Sequence, residues 1–379
     1  MQTATAATIY EQLGVKPVIN ARGHNTVLGG STPSPRVRQA MDDAERYYVE
    51  MKDLLRQAGE TIAKLLECEA AYVTSGAAAA LALGAAACIT GPDLNTMARL
   101  PNTNGLKNKL LLQVRQHYHY EHAPTIVGAQ LVEVGDAQGT TAAQMEAALG
   151  SPDVAAVFYP AHLDGQAGSL SLDDVLAMAH ARNVPVLADA AGRVFPLDLF
   201  RSFGRRGVDL VAFGAKYIGA PNSSGILAGR KQLIDAAVPQ GFIGFETVAN
   251  GRSFGRPLKL DRQEIVAVMV AAQEWFTMDH DERLALQERR LAVIGQRLAG
   301  APGVTTTVLH NVGPAPRVLR VTLEPGVARQ DHDSLIRGLS SGTPAIAVGT
   351  DGSGILVNVS TVWQGDEEVV AERLAGLLT

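Results

Sequence analysis

Residues 209–229 read DLVAFGAKYIGAPNSSGILAG, and this stretch is the best guide to the fold. The apolar run Leu210–Phe213 predicts a buried strand, which ends at Gly214 and Ala215 just before Lys216. Small residues on both sides of this lysine leave room for a bulky group beside its ammonium. A lysine at the carboxyl end of a buried strand is where an α/β enzyme places an amine nucleophile, although a single loop lysine is more often just solvated.

A second apolar run, Val184–Ala188, lies upstream and ends at Asp189. Continuous apolar runs are typical of parallel strands, whose carboxyl ends meet at one edge of a sheet, so Asp189 and Lys216 are expected to lie close together. This pair suits pyridoxal phosphate, because the lysine holds the aldehyde as an imine and the aspartate keeps the pyridine nitrogen protonated. Taken alone, Asp189 is as readily read as a helix cap or a turn residue.

The third part of the pattern is Tyr72–Ala80, YVTSGAAAA. We predict a strand that ends at Thr74 and an alanine-rich helix that follows Ser75 and runs through Ala87. Free backbone amides at a helix start, beside glycine and alanine, form a cradle for a phosphate. A Ser-Gly turn alone is common. A phosphate turn, a strand ending in aspartate and a strand ending in lysine, in this order, make a specific combination.

Several segments resemble the fold-type-I pyridoxal-phosphate enzymes, and among these the group of selenocysteine synthase (L-seryl-tRNA selenium transferase) and D-glucosaminate-6-phosphate ammonia lyase. The segments are KPVINARGHNTVLGGS (16–31), YVTSGAAAALALGAAACITG (72–91), DGQAGSLSLDDV (164–175), VPVLADAAG (184–192) and GAKYIGAPNSSGILAGRK (214–231). The resemblance implies Lys216 as the internal aldimine, Asp189 at the ring nitrogen, and Ser75, Gly76 and Ala77 around the phosphate.

One local departure concerns the lysine string, which is FGAK at 213–216, where the family usually has Ser-Gly-Gly-Lys or Ser-Gly-Asp-Lys. The phosphate contact of the missing hydroxyl is in doubt, and Ser223 and Ser224 are the nearest substitutes. The implied fold is α/β, with a mostly parallel central sheet, flanking helices and a smaller C-terminal α/β domain. We expect an N-terminal arm at 1–20, the large cofactor-binding domain at 21–255, and a linking helix with the small domain at 256–379.

The strand predicted at Lys109–Val114 opens onto residues 115–122, RQHYHYEH. Its histidines do not match the i, i+4 pair of a helical zinc site and no cysteine lies nearby, so we predict no metal. In the resembled family this position supplies a ring that stacks on the cofactor, which we assign to His117, with His119 as the second choice. The remaining side chains of the segment are either acid–base groups or ordinary buried polar residues.

Two later loops supply candidates for binding the substrate. In the family the loop at 160–166 approaches the ring edge of the cofactor, so His162 and Gln166 are candidates for contacts with the cofactor O3′ or the substrate. A surface histidine is at least as common. Arg256 and Lys259 resemble a Gly-Arg-x-x-Lys segment whose basic groups serve a phosphate or a carboxylate, and the ordinary alternative is a solvated pair at a helix start.

Composition excludes several classes of protein. The 379 residues carry a net charge of −5, so no basic face draws the chain to nucleic acid. Cys68 and Cys88 are its two cysteines, which predicts a reduced cytoplasmic protein without disulfides. The weakly polar run Gly76–Ile89 is too short to span a bilayer, and the first residues lack a signal-peptide pattern. Because sites of this family are typically completed by a neighbouring subunit, we expect at least a homodimer.

The first functional hypothesis is a lyase of the ammonia-lyase type. It performs β-elimination from a β-hydroxy amino acid or an amino sugar acid through a Lys216 aldimine, giving a 2-keto acid and ammonia, with Lys216 as the base for the Cα proton. A racemase or epimerase and an aminotransferase remain alternatives, because each starts from the same linkage. Selenium transfer on a charged tRNA is disfavoured by the acidic charge, and a non-catalytic regulator by the joint presence of Lys216, Asp189 and the phosphate turn.

Overall fold

The computed structural model of the chain describes residues 8–352 and 354–379. The helices, in chain order, are α1 (Thr8–Gln12), α2 (Pro35–Glu45), α3 (Met51–Leu66), α4 (Gly76–Thr90), α5 (Leu94–Met97), α6 (Ala142–Leu149), α7 (Leu172–Ala181), α8 (Leu197–Arg205), α9 (Lys231–Ala237), α10 (Arg262–Thr277), α11 (His280–Leu298), α12 (His332–Ser341) and α13 (Asp366–Leu378). The strands are β1 (Val18–Ala21), β2 (Ala70–Thr74), β3 (Lys109–Gln113), β4 (Gln130–Val134), β5 (Val154–Pro160), β6 (Val186–Asp189), β7 (Leu210–Gly214), β8 (Gly225–Gly229), β9 (Val304–Val312), β10 (Ala315–Leu323), β11 (Ala345–Thr350) and β12 (Gly354–Val357).

The chain folds into two compact units, and these divide it at points other than the predicted boundaries. The larger unit is Pro33–Thr277, and the smaller unit joins the residues up to Thr32 to Met278–Thr379. The N-terminal boundary differs from the predicted one because β1 pairs in parallel with β11 and so belongs to the sheet of the smaller unit. The C-terminal division moves because α10 packs against α2 and α3 of the larger unit. Residues 1–7 of the predicted arm lie outside the described part of the chain.

The larger unit is built on a seven-stranded sheet in the order β2-β8-β7-β6-β5-β3-β4. Strands β3 to β7 are paired in parallel, and β8 is antiparallel to both β7 and β2. The predicted mostly parallel sheet is therefore confirmed. Every residue of β5 and β7 is buried, as expected for strands covered by helices on both faces.

Helix α4 is apolar around its whole circumference because it lies buried against this sheet. A Cβ at Gly84 would meet Cδ1 of Leu187 at 2.7 Å, so the helix backbone lies almost directly on β6. The α3 helix approaches β2 as closely, since a Cβ at Gly59 would meet the carbonyl oxygen of Ala71 at 2.2 Å. Glycine at these two positions therefore lets both helices lie directly on the sheet.

The smaller unit has a five-stranded sheet in the order β1-β11-β12-β10-β9, in which the β1–β11 pair is parallel and the others are antiparallel. Its core is formed by apolar residues of the sheet and of α11, α12 and α13, among them Leu291, Ile294, Val321, Leu335, Ile355, Val357 and Leu374. None of the described helices combines the length and the apolar composition that crossing a bilayer requires.

Candidate active site

The carboxyl edge of the larger sheet brings together the three parts of the sequence pattern. Asp189 is the last residue of β6 and pairs in register with Ala212 on the neighbouring strand β7. Lys216 follows β7 in a 3₁₀ turn, Ala215–Ile218. Thr74 ends β2 opposite Gly225, the first residue of the antiparallel strand β8. The beginning of α4 therefore lies at the same edge as the lysine and the carboxylate.

The start of α4 has the shape and polarity of an anion cradle. Gly76 has a φ of +89°, and the Ser75 side chain at the N-cap makes no capping hydrogen bond. A Cβ at Gly225 would meet the backbone of Gly76 at 2.4 Å and the amide nitrogen of Ala77 at 2.7 Å, so the backbones are close here. Because uncapped amides at a helix start favour negative charge, a phosphate fits this position.

Asp189 is a buried carboxylate, with 5% of its surface exposed. Its Oδ1 accepts a hydrogen bond of 3.0 Å from the Ala191 amide, and its Oδ2 accepts one from the Tyr118 hydroxyl. Burial raises the pKa of Asp189 above its ordinary value, although these hydrogen bonds and the nearby His162 act in the opposite direction. A cation beside this carboxylate would offset the cost of burying it, so a protonated pyridine nitrogen fits here.

Lys216 is partly buried, and this burial lowers the pKa of its ammonium. Its Nζ lies 5.3 Å from the centroid of the Tyr217 ring. The turn that carries the lysine ends at Gly219, whose φ of +87° is in the left-handed region that glycine adopts readily. A lowered pKa increases the fraction of neutral amine, which is the form that attacks an aldehyde.

Phe213 stands where the family usually has a serine, and Ser223 and Ser224 are the candidates to replace that serine's hydroxyl. Both have hydrogen-bond partners within the chain. The Ser224 hydroxyl donates to the carbonyl oxygen of Pro221 at 2.6 Å, and Ser224 is buried. The Ser223 hydroxyl donates to Glu264. The backbone carbonyl oxygen of Ser223 lies 3.8 Å from the position that a Cβ on Gly76 would occupy. Ser223 is therefore the one beside the phosphate turn.

His117, the first choice for the ring that stacks on the cofactor, lies between two carboxylates. His117 Nδ1 lies 2.8 Å from Oε2 of Glu121, and its Nε2 lies 2.7 Å from Oε2 of Glu133 on β4. Tyr118 is the residue of this segment that reaches Asp189, and His119 is exposed. The stacking role of His117 or His119 stays a prediction, while the contacts favour Tyr118 as the ring nearest the carboxylate.

His162 and Gln166, the residues predicted to contact the cofactor or the substrate, lie on the loop that follows β5. His162 lies in the 3₁₀ turn after β5, with its ring centroid 5.0 Å from that of Tyr118, and desolvation there lowers its pKa. Arg193 supports this turn by donating to the carbonyl oxygens of Ala161 and His162 at 3.4 and 3.2 Å. Gln166 is exposed on the same loop.

Arg256 and Lys259 are both exposed. The Arg256 guanidinium lies 5.3 Å from the centroid of the Phe245 ring. Neither side chain is paired with a carboxylate of the described residues, so both remain available to an anion. No cluster of potential metal ligands occurs among the described residues.

Sequence reasoning missed Tyr118 and Arg193. Tyr118 carries no sequence signal that separates it from Tyr120 or the histidines around it, because all lie in one polar segment. Arg193 follows Asp189 by a few positions, and its role depends on a loop that is distant in the chain. Both residues show their partners only in the folded structure.

Comparison with known proteins gives two relatives that extend over most of the chain, although no protein-family model matches it. The chain is 30% identical over 354 residues to a 5'-C-glycyluridine monooxygenase-decarboxylase from Streptomyces sp, which spans 91% of this chain and 85% of the relative. It is also 30% identical over 340 residues to a D-glucosaminate-6-phosphate ammonia lyase from Salmonella typhimurium, which spans 87% of each protein.

A solved structure agrees with this relationship. The structure of a D-glucosaminate-6-phosphate ammonia-lyase matches the chain with a TM-score of 0.84 and 27% sequence identity, over 100% of this chain and 98% of that one. The predicted fold, the family and pyridoxal 5'-phosphate as the cofactor are thereby confirmed. The chain belongs to the fold-type-I pyridoxal-phosphate enzymes, in the group that includes D-glucosaminate-6-phosphate ammonia lyase.

Proposed function

We propose that the protein is an ammonia lyase, which converts a β-hydroxy amino acid or an amino sugar acid to a 2-keto acid and ammonia. The observation that carries this proposal is the meeting of Lys216, Asp189 and the uncapped start of α4 at one sheet edge, in a chain 30% identical to an ammonia lyase. When bound, pyridoxal phosphate supplies an electron sink for the bond that breaks at the substrate Cα.

The other groups of the site each have a separate role. The backbone amides of Ser75, Gly76 and Ala77 would bind the phosphate, and the carboxylate of Asp189 would keep the ring nitrogen protonated. Lys216 would hold the aldehyde, and its Nζ would be the base for the proton on the substrate Cα; its lowered pKa increases the fraction of neutral amine.

Other side chains of the larger unit serve the substrate. His162 and Gln166, on the loop after β5, contact the cofactor's ring edge or the substrate. Arg256 and Lys259 bind its carboxylate or phosphate, a role supported by the lack of a carboxylate partner for either cation among the described residues.

The test compares Lys216→Ala with Lys231→Ala. Lys231 is an exposed lysine that pairs with Asp235 at 2.6 Å, and it serves as the control. With pyridoxal phosphate and a panel of β-hydroxy amino acids and amino sugar acids, the wild type and Lys231→Ala should show the visible absorbance of a protonated imine and release ammonia. Lys216→Ala should lose both. Visible absorbance and ammonia release that persist in Lys216→Ala contradict the proposal.

The same assay separates the alternative reactions. Ammonia release without any added keto acid indicates elimination, whereas strict dependence on a keto acid indicates an aminotransferase. Deuterium exchange at Cα without a keto-acid product indicates a racemase or epimerase. Oxygen uptake with release of carbon dioxide indicates chemistry of the kind named for the Streptomyces relative, which is as similar in sequence as the ammonia lyase.

We also propose a homodimer that works in the cytoplasm. Tyr47 and Tyr48 lie between α2 and α3 with 73% and 91% of their surface exposed, which is unusual for large aromatic residues and suits a protein contact. Both cysteines are free thiols, as a reducing compartment requires. Light scattering should give at least twice the chain's 39.9 kDa, and an active monomer contradicts the assembly.

A further inference from the structure

We infer that Tyr118 is the positioning residue for the Asp189 carboxylate, because its hydroxyl holds one carboxylate oxygen while the Ala191 amide holds the other. The inference rests on the proposed function through one point, the role of Asp189 at the cofactor's ring nitrogen. Tyr118 acts through Asp189, and no contact between the tyrosine and the cofactor is required.

The segment around Tyr118 is built to present this hydroxyl. The Tyr118 amide donates to Oε2 of Glu121 at 3.1 Å, and the same carboxylate oxygen lies 2.8 Å from Nδ1 of His117. The other nitrogen of His117 is anchored by Glu133 on β4. Two carboxylates and one imidazole thus fix the backbone from which the tyrosine extends.

The Tyr118 ring is also fixed by its neighbours on β5 and on the following turn. Its centroid lies 6.1 Å from that of Phe158 and 5.0 Å from that of His162, which meets it edge-on. Phe158 is fully buried, so one side of the tyrosine rests on the core of the larger unit. A ring held in this way directs its hydroxyl at Asp189 with little loss of side-chain entropy on binding.

The charges around Asp189 explain why a donor is needed. The ionisable groups that act on this carboxyl are Tyr118 and His162, and Tyr217 lies near enough to feel its charge. Burial raises the pKa of Asp189, and the hydrogen bond from Tyr118 opposes this increase. Burial and the charge of Asp189 raise the pKa of Tyr118 itself, so the tyrosine keeps the proton that it donates to the carboxylate.

The two hydrogen bonds leave room for a third partner. An ionised carboxylate offers about four acceptor positions, and Tyr118 and Ala191 occupy two of them. A ring N–H can therefore bind Asp189 while Tyr118 remains in place. A protonated carboxyl would present a donor where the ring N–H needs an acceptor. Loss of the tyrosine hydroxyl favours that protonated form, so it should weaken cofactor binding.

The test is an infrared titration of the full-length chain without cofactor, in which the band of a protonated carboxyl is followed against pH. Asp189→Asn identifies the band, Tyr118→Phe removes the donor, and Tyr120→Phe is the matched control, since this neighbouring tyrosine is 70% exposed. Tyr118→Phe should raise the Asp189 midpoint by about one to two pH units, the size expected for a hydrogen bond to a charged group. Tyr120→Phe should leave it unchanged.

A second readout is the affinity for pyridoxal phosphate, measured at pH 7 from its visible absorbance. Tyr118→Phe should raise the Kd about tenfold or more, the size expected when a charged carboxylate loses a hydrogen bond in the cofactor-bound state. Uniform 3-fluorotyrosine in the wild type is an independent measurement: its more acidic phenol is a stronger donor and should lower the Asp189 midpoint.

An Asp189 midpoint that is the same in the wild type, Tyr118→Phe and the fluorinated protein overturns the inference, as does an unchanged Kd in Tyr118→Phe. Neither titration involves turnover, so a failed Lys216→Ala test would count against the proposed function and leave the assignment of Tyr118 to be judged on its own. If Lys216→Ala loses visible absorbance and ammonia release as expected, but Tyr118→Phe leaves the Asp189 midpoint unchanged, the proposed lyase function stands and the inference about Tyr118 is wrong.

Discussion

At the scale of single residues, the site uses burial to change the ionisation of groups that the reaction requires. Burial raises the pKa of Asp189 and lowers the pKa of Lys216, so it disfavours the charged form of each group. Sites that hold such groups trade stability for function.

The first prediction concerns Asp189→Asn in the chain without cofactor. Burial raises the pKa of Asp189 in the folded state above its value in the unfolded state. At pH values between these two pKa values the folded state binds more protons than the unfolded state, so stability falls as the pH rises through this range. The thermal midpoint of the wild type should therefore fall relative to that of Asp189→Asn as the pH rises above about 4, the ordinary aspartate value, towards the raised value. Asp198→Asn, at a side chain that is 91% exposed, is the control, and parallel curves for the wild type and Asp189→Asn would contradict the account.

The second prediction concerns His117→Gln. Desolvation lowers the pKa of His117, but the hydrogen bonds that its ring donates to Glu133 and Glu121 outweigh this effect, so the net pKa is raised. The contribution of the charged ring to stability is present below the ordinary value of 6.5 and is lost as pH rises through the raised value. The ring is 44% exposed, so we expect about 0.5 kcal/mol or less, further reduced by salt.

Thermal unfolding at pH 5.5 and 8.5 is the measurement for His117. The difference between the wild type and His117→Gln should be larger at the lower pH. His122→Gln, in the same segment and without an ion pair among the described residues, should show no such trend. A difference that grows with pH would reverse the assignment.

At the scale of secondary-structure elements, the phosphate cradle depends on how closely β8 approaches the start of α4. Gly225 has no Cβ to separate the two backbones, and the 2.4 Å distance to Gly76 leaves no space for one. Because both atoms belong to the backbone, neither can move aside as a flexible side chain would. The contact thus fixes the amides of the helix start in place.

We predict that Gly225→Ala weakens pyridoxal phosphate binding at least about tenfold, because the helix start must shift to admit the methyl group. Equilibrium titration by visible absorbance is the measurement. The control is Gly376→Ala in α13, where the added Cβ has no neighbour within 4 Å. That change should raise stability by roughly 0.5–1 kcal/mol, since alanine favours a helix. Equal cofactor affinity in the two variants would refute the cradle.

At the scale of the whole molecule, net charge and the distribution of basic residues decide which partners are attracted. The chain has 33 basic and 38 acidic residues, and most of the described arginines and lysines in ion pairs meet partners within their own unit. Nucleic acids bind through neutralised phosphates and respond steeply to salt. The acidic net charge therefore disfavours a nucleic-acid partner.

We therefore predict no salt-sensitive binding of tRNA. In a gel-shift series at 50 and 200 mM salt, the chain should leave charged and uncharged tRNA unshifted at micromolar protein. A basic tRNA-binding protein is the positive control. Tight binding that weakens by orders of magnitude over this range would restore selenium transfer as a hypothesis.

Much of the fold was accessible to sequence reasoning because its strands are buried on both faces. The runs before Asp189 and Lys216 are continuous and apolar, and they form β6 and β7 close to where the pattern predicts them. The antiparallel strand β8 was not predicted, since its glycines conceal it. The division at Thr277 was not predicted either, because nothing local shows that α10 packs on α2 and α3.

The sequence by itself was enough to predict the cofactor, because an amine and a carboxylate at the ends of two apolar runs and a glycine- and alanine-rich helix start can each be recognised from local pattern. That these runs form adjacent strands is shown by the structure. The tertiary structure alone decided which side chain of the segment 115–122 serves the carboxylate. Glu133 on β4 and Glu121 hold His117, and this leaves Tyr118 directed at Asp189. These partners lie on other elements, and no local pattern encodes which of several adjacent polar side chains will meet them.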